Sequence, residues 1–253
     1  MRLAEASWVE AQKALGKVDT VILPVGSTEQ HGPHCPLGTD HFTADAVANM
    51  VGDRAKLPVL PVVPVGVSSH HRQFPGTLWA PPAVFRDYIK AIILSASSHG
   101  PHKFIVINGH GGNTPSLKEV AEELRSDDDI FVAIATAYPA KLDGHAGEDE
   151  TSLIMHLRPE LVDMKKAVNT KQNETLAGIG MKTQKVGPAD FSWDTIDLSP
   201  TGVFGAAGKT IEATKATPQH GEEILKAHVD ELYDFAEELK KAKLEDLLPK
   251  PHK

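Results

Sequence analysis

The chain has 253 residues, 41% of them hydrophobic and 24% charged, and a formal net charge of −8. That composition excludes collagen-like, low-complexity and disordered chains and argues against a general nucleic-acid partner. No apolar run reaches the roughly 18 residues of a membrane span, an acid (Glu5) stands where a leader would be apolar, and Cys35 is the lone cysteine, so the expectation is a cytoplasmic chain with no intrachain disulfide and no membrane partner.

Val18–Val25 is a short apolar run ending in Pro-Val-Gly, which reads as a buried strand followed by a loop. Ala44, Val47, Ala48 and Val51 follow at helical spacing and place a helix just after Asp40. Val59–Val65 is β-branched but carries Pro61 and Pro64, so it is an edge strand at best. Val84, Tyr88 and Ile92 indicate a helix. Phe104–Ile107 is a compact strand. Thr114–Arg125 is a helix with Leu117, Val120 and Leu124 on one face and Pro115 in its first turn. Ile130–Ala137 is a further strand. Residues 165–217 are rich in Gly, Thr and Pro and read as loops and short elements around a site. Leu225, Val229, Leu232, Ala236 and Leu239 mark a long amphipathic helix between Pro218 and Pro249. Alternating strands and helices, with no internal repeat or linker, predict one α/β domain over residues 1–253: three α/β/α layers around a mostly parallel central sheet.

Ligands in such folds bind beyond the carboxyl ends of the strands. Three polar stretches fall there: Gly26–Asp40, Asn108–Asn113 and Asp143–Ser152. Each presents carboxylate, imidazole or both, and ten of the 13 histidines cluster at 31–41, 70–71, 99–110 and 145–156. Imidazole with carboxylate favours Zn²⁺, Mn²⁺ or Fe²⁺ over Mg²⁺ or Ca²⁺. Glu29 and His31, two residues apart, point the same way from an extended segment; Asp40 and His110 complete four candidate ligands. Singly, each has a plainer use: Asp40 as a helix cap, Glu29 paired with a surface Arg, His110 as a turn residue. Together they point to a metal. His34 and Cys35 read as non-ligands, His70 and His71 as substrate-lining, and Trp79, Trp193 and Phe204 as candidate pocket walls. Rival motifs fail: Gly208-Lys-Thr needs a glycine at 203 to be a phosphate loop, and Val203 stands there. There is no Gly-x-Ser-x-Gly elbow or His-Glu-x-x-His.

Pro24-Val-Gly-Ser-Thr-Glu-Gln-His-Gly-Pro-His34 with Pro36-Leu-Gly-Thr-Asp40 resembles the opening motif of the creatininase (creatinine amidohydrolase) family. Phe74-Pro-Gly-Thr77, Asn108–Asn113, His145–Ser152 and Thr201–Gly205 match later motifs in order, over roughly residues 20–240. The resemblance implies a homo-oligomer, often a hexamer, and a binuclear centre of two divalent transition metals, zinc with zinc, manganese or iron. Glu29, Asp40 and His110 match the ligands of one metal, and His31 matches a ligand of the other, with Asp40 bridging. His145 matches a proton-transfer histidine. The glutamate that creatininase itself supplies to its second metal falls at Gly112 here, so another acid is needed: Glu150 is preferred, with Glu148 the alternative and helix capping the plain use of both. The implied reaction is hydrolysis of a C–N amide or cyclic amide bond in a small molecule or short peptide, by hydroxide bridging the metals. Relatives sharing Gly-Gly after the histidine include a formamidopyrimidine deformylase and a peptidase acting on a cofactor precursor, so those activities stand as alternatives to creatinine. A catalytically silent binding protein of the same fold is the third.

Overall fold

In the computed structural model, which describes residues 1–139, 142–182 and 184–250, α1 (Trp8–Leu15) leads into β1 (Thr20–Val25) and α2 (Thr39–Ala55). Next come α3 (Pro82–Ser97), β2 (Lys103–Asn108), α4 (Thr114–Asp127), β3 (Phe131–Thr136) and α5 (Glu148–Leu157). The middle of the chain holds β4 (Asn169–Lys171), β5 (Thr175–Leu176), β6 (Ile179–Lys182), β7 (Lys185–Val186), β8 (Ala189–Asp190), α6 (Thr195–Leu198) and β9 (Thr210–Glu212). The chain closes with α7 (Pro218–Lys241) and α8 (Leu244–Leu247).

The central sheet is parallel in the order β1-β2-β3, with Thr20 opposite Lys103 and Phe131 at one end and Val25 opposite Asn108 and Thr136 at the other. Because side chains alternate across a strand, the continuous apolar runs serve both faces. Ile22, Ile105 and Ile107 pack against Val47 and Val51 of α2, Leu153 of α5 and Leu225, Val229 and Leu232 of α7. Val21, Leu23, Val25, Phe104 and Val106 pack against Phe85, Ile89 and Ile93 of α3 and Leu117, Val120 and Leu124 of α4. These two apolar interfaces make the α/β/α layering. The Pro-interrupted segment runs along the outer edge of β1: Leu60 N donates to Ile22 O, Val63 N to Pro24 O and Gly26 N to Val63 O. Only isolated parallel bridges form there, at Val59 and Val63, which is the edge role its prolines dictate.

Three details depart from the sequence pattern. In α3 the buried face is Phe85, Ile89, Ile93 and Ala96, while Val84 and Tyr88 are each 56% exposed. Both sets have four-residue spacing, so periodicity finds the helix but not which apolar row faces the sheet. α2 begins at Thr39 with Gly38 as N-cap, putting Asp40 inside the first turn rather than at the cap. α7 ends at Lys241, short of Pro249; fully buried Lys103 reaches its C-terminus, donating to Leu239 O and Ala242 O, both at 2.7 Å.

The described residues between 165 and 217 include two small antiparallel sheets, β4 with β9 and a four-stranded β5-β6-β7-β8 flap. Among the described residues no helix is long and apolar enough to cross a membrane.

α5 and α7 approach closely because α7 carries Gly221: a Cβ there would lie 2.0 Å from Ser152 O. Gly221→Ala is expected to push the helices apart at an overpacking cost of about 1–3 kcal/mol. A thermal melt should show a midpoint lower by roughly 3–10 °C for a chain of this size, and an unchanged midpoint would mean that the crossing is slack.

Candidate metal centre

The sheet ends together at the carboxyl tips of its strands, and that end gathers the polar stretches. The exit of β1 carries Glu29, Gln30 and His31, the exit of β2 carries His110, and the chain beyond β3 carries His145 and, in the first turn of α5, Glu150. Asp40 comes from the first turn of α2. Glycine makes the approach possible: a Cβ on Gly109 would sit 2.3 Å from Asp40 O. A Cβ on Gly112 would meet His110 Nε2 and Val67 O, both at 2.4 Å, so position 112 has no room for a side chain in this arrangement.

Glu29, His31, Asp40, His110 and Glu150 are each at most 6% exposed. His110 Nδ1 lies 3.1 Å from Glu29 Oε1 and 3.3 Å from Asp40 Oδ2. His31 Nε2 lies 3.1 Å from Asp40 Oδ1 and 3.8 Å from Glu150 Oε2. Asp40 therefore faces both histidines with different oxygens. Tyr138 OH donates to Asp40 Oδ1 at 3.2 Å, and Ala146 N, held in the left-handed region at φ 54°, donates to Glu150 Oε2 at 2.6 Å. Ligand atoms fall within 4.8 Å of one another in three sets: Glu29–Asp40–His110, His31–Asp40–Glu150 and Glu29–His31–His145. Glu148 is in none of them. The first turn of α5 is capped instead by Asp143, whose carboxylate accepts from Glu148 N and Asp149 N.

A divalent cation fits this donor set. Glu29 Oε1 and Oε2, His31 Nε2 and Asp40 Oδ2 are buried without a hydrogen-bond partner, a costly arrangement unless another ligand satisfies them. The far nitrogens of the rings are fixed by carbonyls, which can only accept: His110 Nε2 donates to Val67 O at 3.0 Å and His31 Nδ1 to Glu29 O at 3.2 Å. With a cation between them and the carboxylates, each ring would offer it the remaining nitrogen's lone pair, as ligating imidazoles do.

Without a cation the carboxylates hold protons on those rings. Burial works against a charged His31, but the Asp40 carboxylate, seconded by Glu150 and Glu29, lifts its pKa to about 9. His110 is lifted well above the usual range against the same burial, by Glu29 and Asp40. Burial pushes Glu150 up to about 7 and Glu29 above the usual carboxylate range, whereas His31 and His110 outweigh burial at Asp40 and hold it low. Raised folded-state values for His31 and His110 stabilise the metal-free chain fully below about pH 6.5, and that contribution is lost as pH rises toward 9. Chelator-stripped protein is therefore expected to melt at a lower temperature at pH 9 than at pH 6.5. Metal-loaded protein should change less, because the cation replaces those protons. Equal pH dependence of the two forms would contradict it.

His145 stands beside the cluster. Its Nε2 lies 2.9 Å from Gln30 O and 2.9 Å from Gln30 Nε2, its Nδ1 is 3.9 Å from Glu150 Oε2, and its ring stacks on Phe204 at 4.9 Å. Burial, then the charge on His31, takes its pKa well below the ordinary imidazole value. His71 is closer to the cluster than a lining residue: 1% exposed, with Nε2 3.2 Å from Glu29 Oε1 and Nδ1 facing Gln30 Nε2 and Thr195 Oγ1. His70 lines the cavity and stacks on His110 at 5.5 Å. His34 bonds Thr151 instead of the cluster, and Cys35, its thiol pushed up to about 12 by burial, lies against the same Thr151. Trp193 and Phe204 line the cavity; Trp79 does not and is 44% exposed.

Sequence reasoning passed over Gln30, Tyr138 and the closeness of His71. Gln30 sits inside a motif read for its charged neighbours. Tyr138 follows a strand whose apolar run hides it.

Residues 4–236 match the family described as creatinine amidohydrolase. The chain belongs to the creatininase family. Within that family it is 32% identical to the mycofactocin precursor peptide peptidase of Mycolicibacterium smegmatis, over 82% of this chain and 80% of that one. It is 28% identical to the creatinine amidohydrolase of Pseudomonas putida, over 93% and 96%. A solved Zn–Zn form of a creatininase variant superposes with a TM-score of 0.77 at 25% identity, covering 95% of this chain and 98% of that one. The creatininase fold and the α/β/α expectation agree.

Proposed function

We propose that this creatininase-family hydrolase is metal-dependent and cleaves a C–N amide or cyclic amide bond. The observation that carries it is the convergence of buried ligand atoms from Glu29, His31, Asp40, His110 and Glu150 into two sets that share Asp40, which a pair of cations would satisfy. Glu29, Asp40 and His110 would hold one cation and His31, Asp40 and Glu150 the other, with Asp40 shared; two divalent transition metals, zinc with zinc, manganese or iron, suit these donors. Bound there, they would supply water activation near neutral pH and polarisation of the scissile carbonyl.

The chain's own residues do the rest. His145 stands beside the cluster, its Nδ1 3.9 Å from Glu150 Oε2, where it can take a proton from the attacking water and hand it to the leaving nitrogen. Gln30 and Phe204 fix its ring in place. Tyr138 and Ala146 N orient the Asp40 and Glu150 carboxylates from behind.

A second reading, a peptidase, draws support from the cavity. Its volume is about 1270 Å³, beyond the roughly 300–1,000 Å³ of ordinary small-molecule pockets and far more than one small ring requires. The deciding experiment assays metal-loaded protein against creatinine, N-formylated aminopyrimidines and short peptides, alongside metal analysis. About two metal equivalents per chain with turnover of an amide is expected; bound metal without turnover would leave a silent binding protein. Glu150→Gln should lower metal content and Glu148→Gln should not. The reverse would move the second site to Glu148.

A further inference from the structure

Beside the cavity, two segments far apart in sequence meet at three successive residues. Trp193 stands edge-on to His70, with ring centroids 4.8 Å apart at 71°. The two ends of the Arg72 guanidinium meet the two carboxylate oxygens of Asp194, Nη1 to Oδ1 at 2.5 Å and Nη2 to Oδ2. Thr195 Oγ1 lies 2.8 Å from His71 Nδ1. Arg72 Nη1 also donates to Ser69 O at 3.1 Å, which ties the fork to its own turn. Asp194 is anchored in turn as the N-cap of α6, in a capping box with Asp197.

What this junction carries is the β5–β8 flap. Phe191, Ser192 and Trp193 leave the flap and line the cavity next to the His70–His71 turn, which lines it as well. The flap's apolar packing is confined to one small cluster, where Leu176, Met181, Val186 and Phe191 meet Leu198, Trp193 and Phe204, and most residues of β5–β8 are exposed. Its seating over the cavity therefore depends on contacts at its base, and among these the Arg72–Asp194 fork is the charged, bidentate one.

We propose that Arg72 and Asp194 are a positioning pair that clamps the flap to the His70–His71 turn and so sets the width of the cavity at Trp193, selecting amide substrates by size. Neither residue touches the cluster; both act through their neighbours in sequence, Trp193 and Thr195 on one side and His71 on the other. The side chains are 50% and 21% exposed, so the clamp is weak enough to open and to respond to salt. The selecting role rests on the amide-hydrolase reading, whereas the clamp itself does not.

The test separates the two. The chain has three tryptophans, so a Trp8→Phe/Trp79→Phe protein reports Trp193 alone through acrylamide quenching of its fluorescence. Arg72→Ala and Asp194→Asn are expected to raise the quenching constant about two-fold or more, and Arg72→Lys by less, since it keeps the charge and loses the fork. Asn still caps a helix, so Asp194→Asn removes the ion pair and keeps α6. Sodium chloride at about 1 M should raise quenching in the parent and not in Arg72→Ala. Metal content and melting temperature should stay with the parent. On a panel amide that is turned over, the variants should raise KM several-fold while kcat holds. Unchanged quenching in both variants would overturn the proposal, as would a rise matched by equal loss of metal and melting temperature. Because quenching needs no turnover, a failed substrate panel sinks the hydrolase reading without touching the clamp.

Discussion

His110→Ala is expected to lose bound metal and hydrolysis together, whereas His145→Ala is expected to keep its metal and lose most of its rate. The geometry sets the contrast. His110 Nδ1 faces Glu29 and Asp40 at 3.1 and 3.3 Å, with its other nitrogen fixed on Val67 O. Truncation removes the nitrogen that completes that donor set and leaves two buried carboxylates facing each other. A fall of three or more orders of magnitude in kcat/KM follows, roughly 4 kcal/mol or more of barrier. His145 comes no nearer than 3.9 Å to Glu150 and is held by Gln30 and Phe204. Its loss removes proton transfer, which is worth about 10²–10⁴-fold. Metal analysis of the two purified variants is the check. His145 also falls into one ligand-like set with Glu29 and His31, so an equal loss of metal in both variants would make it a ligand and undo the division of roles.

The parts of this site that could be read from the sequence are those whose partners follow a rule of spacing. Glu29 and His31, two apart just past a strand, both reach the cluster, and His110 falls between glycines at a strand exit, where close backbone approach is needed. Phe104–Ile107 could be placed because a strand buried on both faces leaves no polar gap. Long-range partnership left no such mark. His71 is defined by Glu29 and by Thr195, 124 residues away. The Arg72–Asp194 fork spans 122 residues. Likewise α3 could be located, but not turned to its buried face, because rows 84–88–92 and 85–89–93 carry the same spacing. Asp40 shows the remaining kind of ambiguity: an acid at a helix start is a cap or a ligand according to where the helix begins, and here Gly38, two residues earlier, takes the cap position.

Replacing Lys103 should have the largest effect on stability. Lys103 opens β2 and is fully buried. Its ammonium has three N–H donors. Leu239 O and Ala242 O, at the end of α7, each lie 2.7 Å away, and Asp19 Oδ2 lies 2.9 Å away. The last carbonyls of a helix have no partner within it and carry its negative dipole end, so a buried cation there completes α7 against β2. Lys103→Met keeps much of the volume and removes every donor. Stranding buried acceptors costs about 1–3 kcal/mol each, partly offset because the ammonium no longer has to be desolvated. A net loss of about 2–5 kcal/mol lowers the melting temperature by roughly 5–15 °C at this chain length. Asp19 is 56% exposed, so Asp19→Asn removes only a screened charge and should cost about 1 kcal/mol or less. Thermal melts of the two variants decide between helix termination and ion pairing. If Asp19→Asn proves as damaging as Lys103→Met, the pair with Asp19, rather than the end of α7, is what the buried lysine serves.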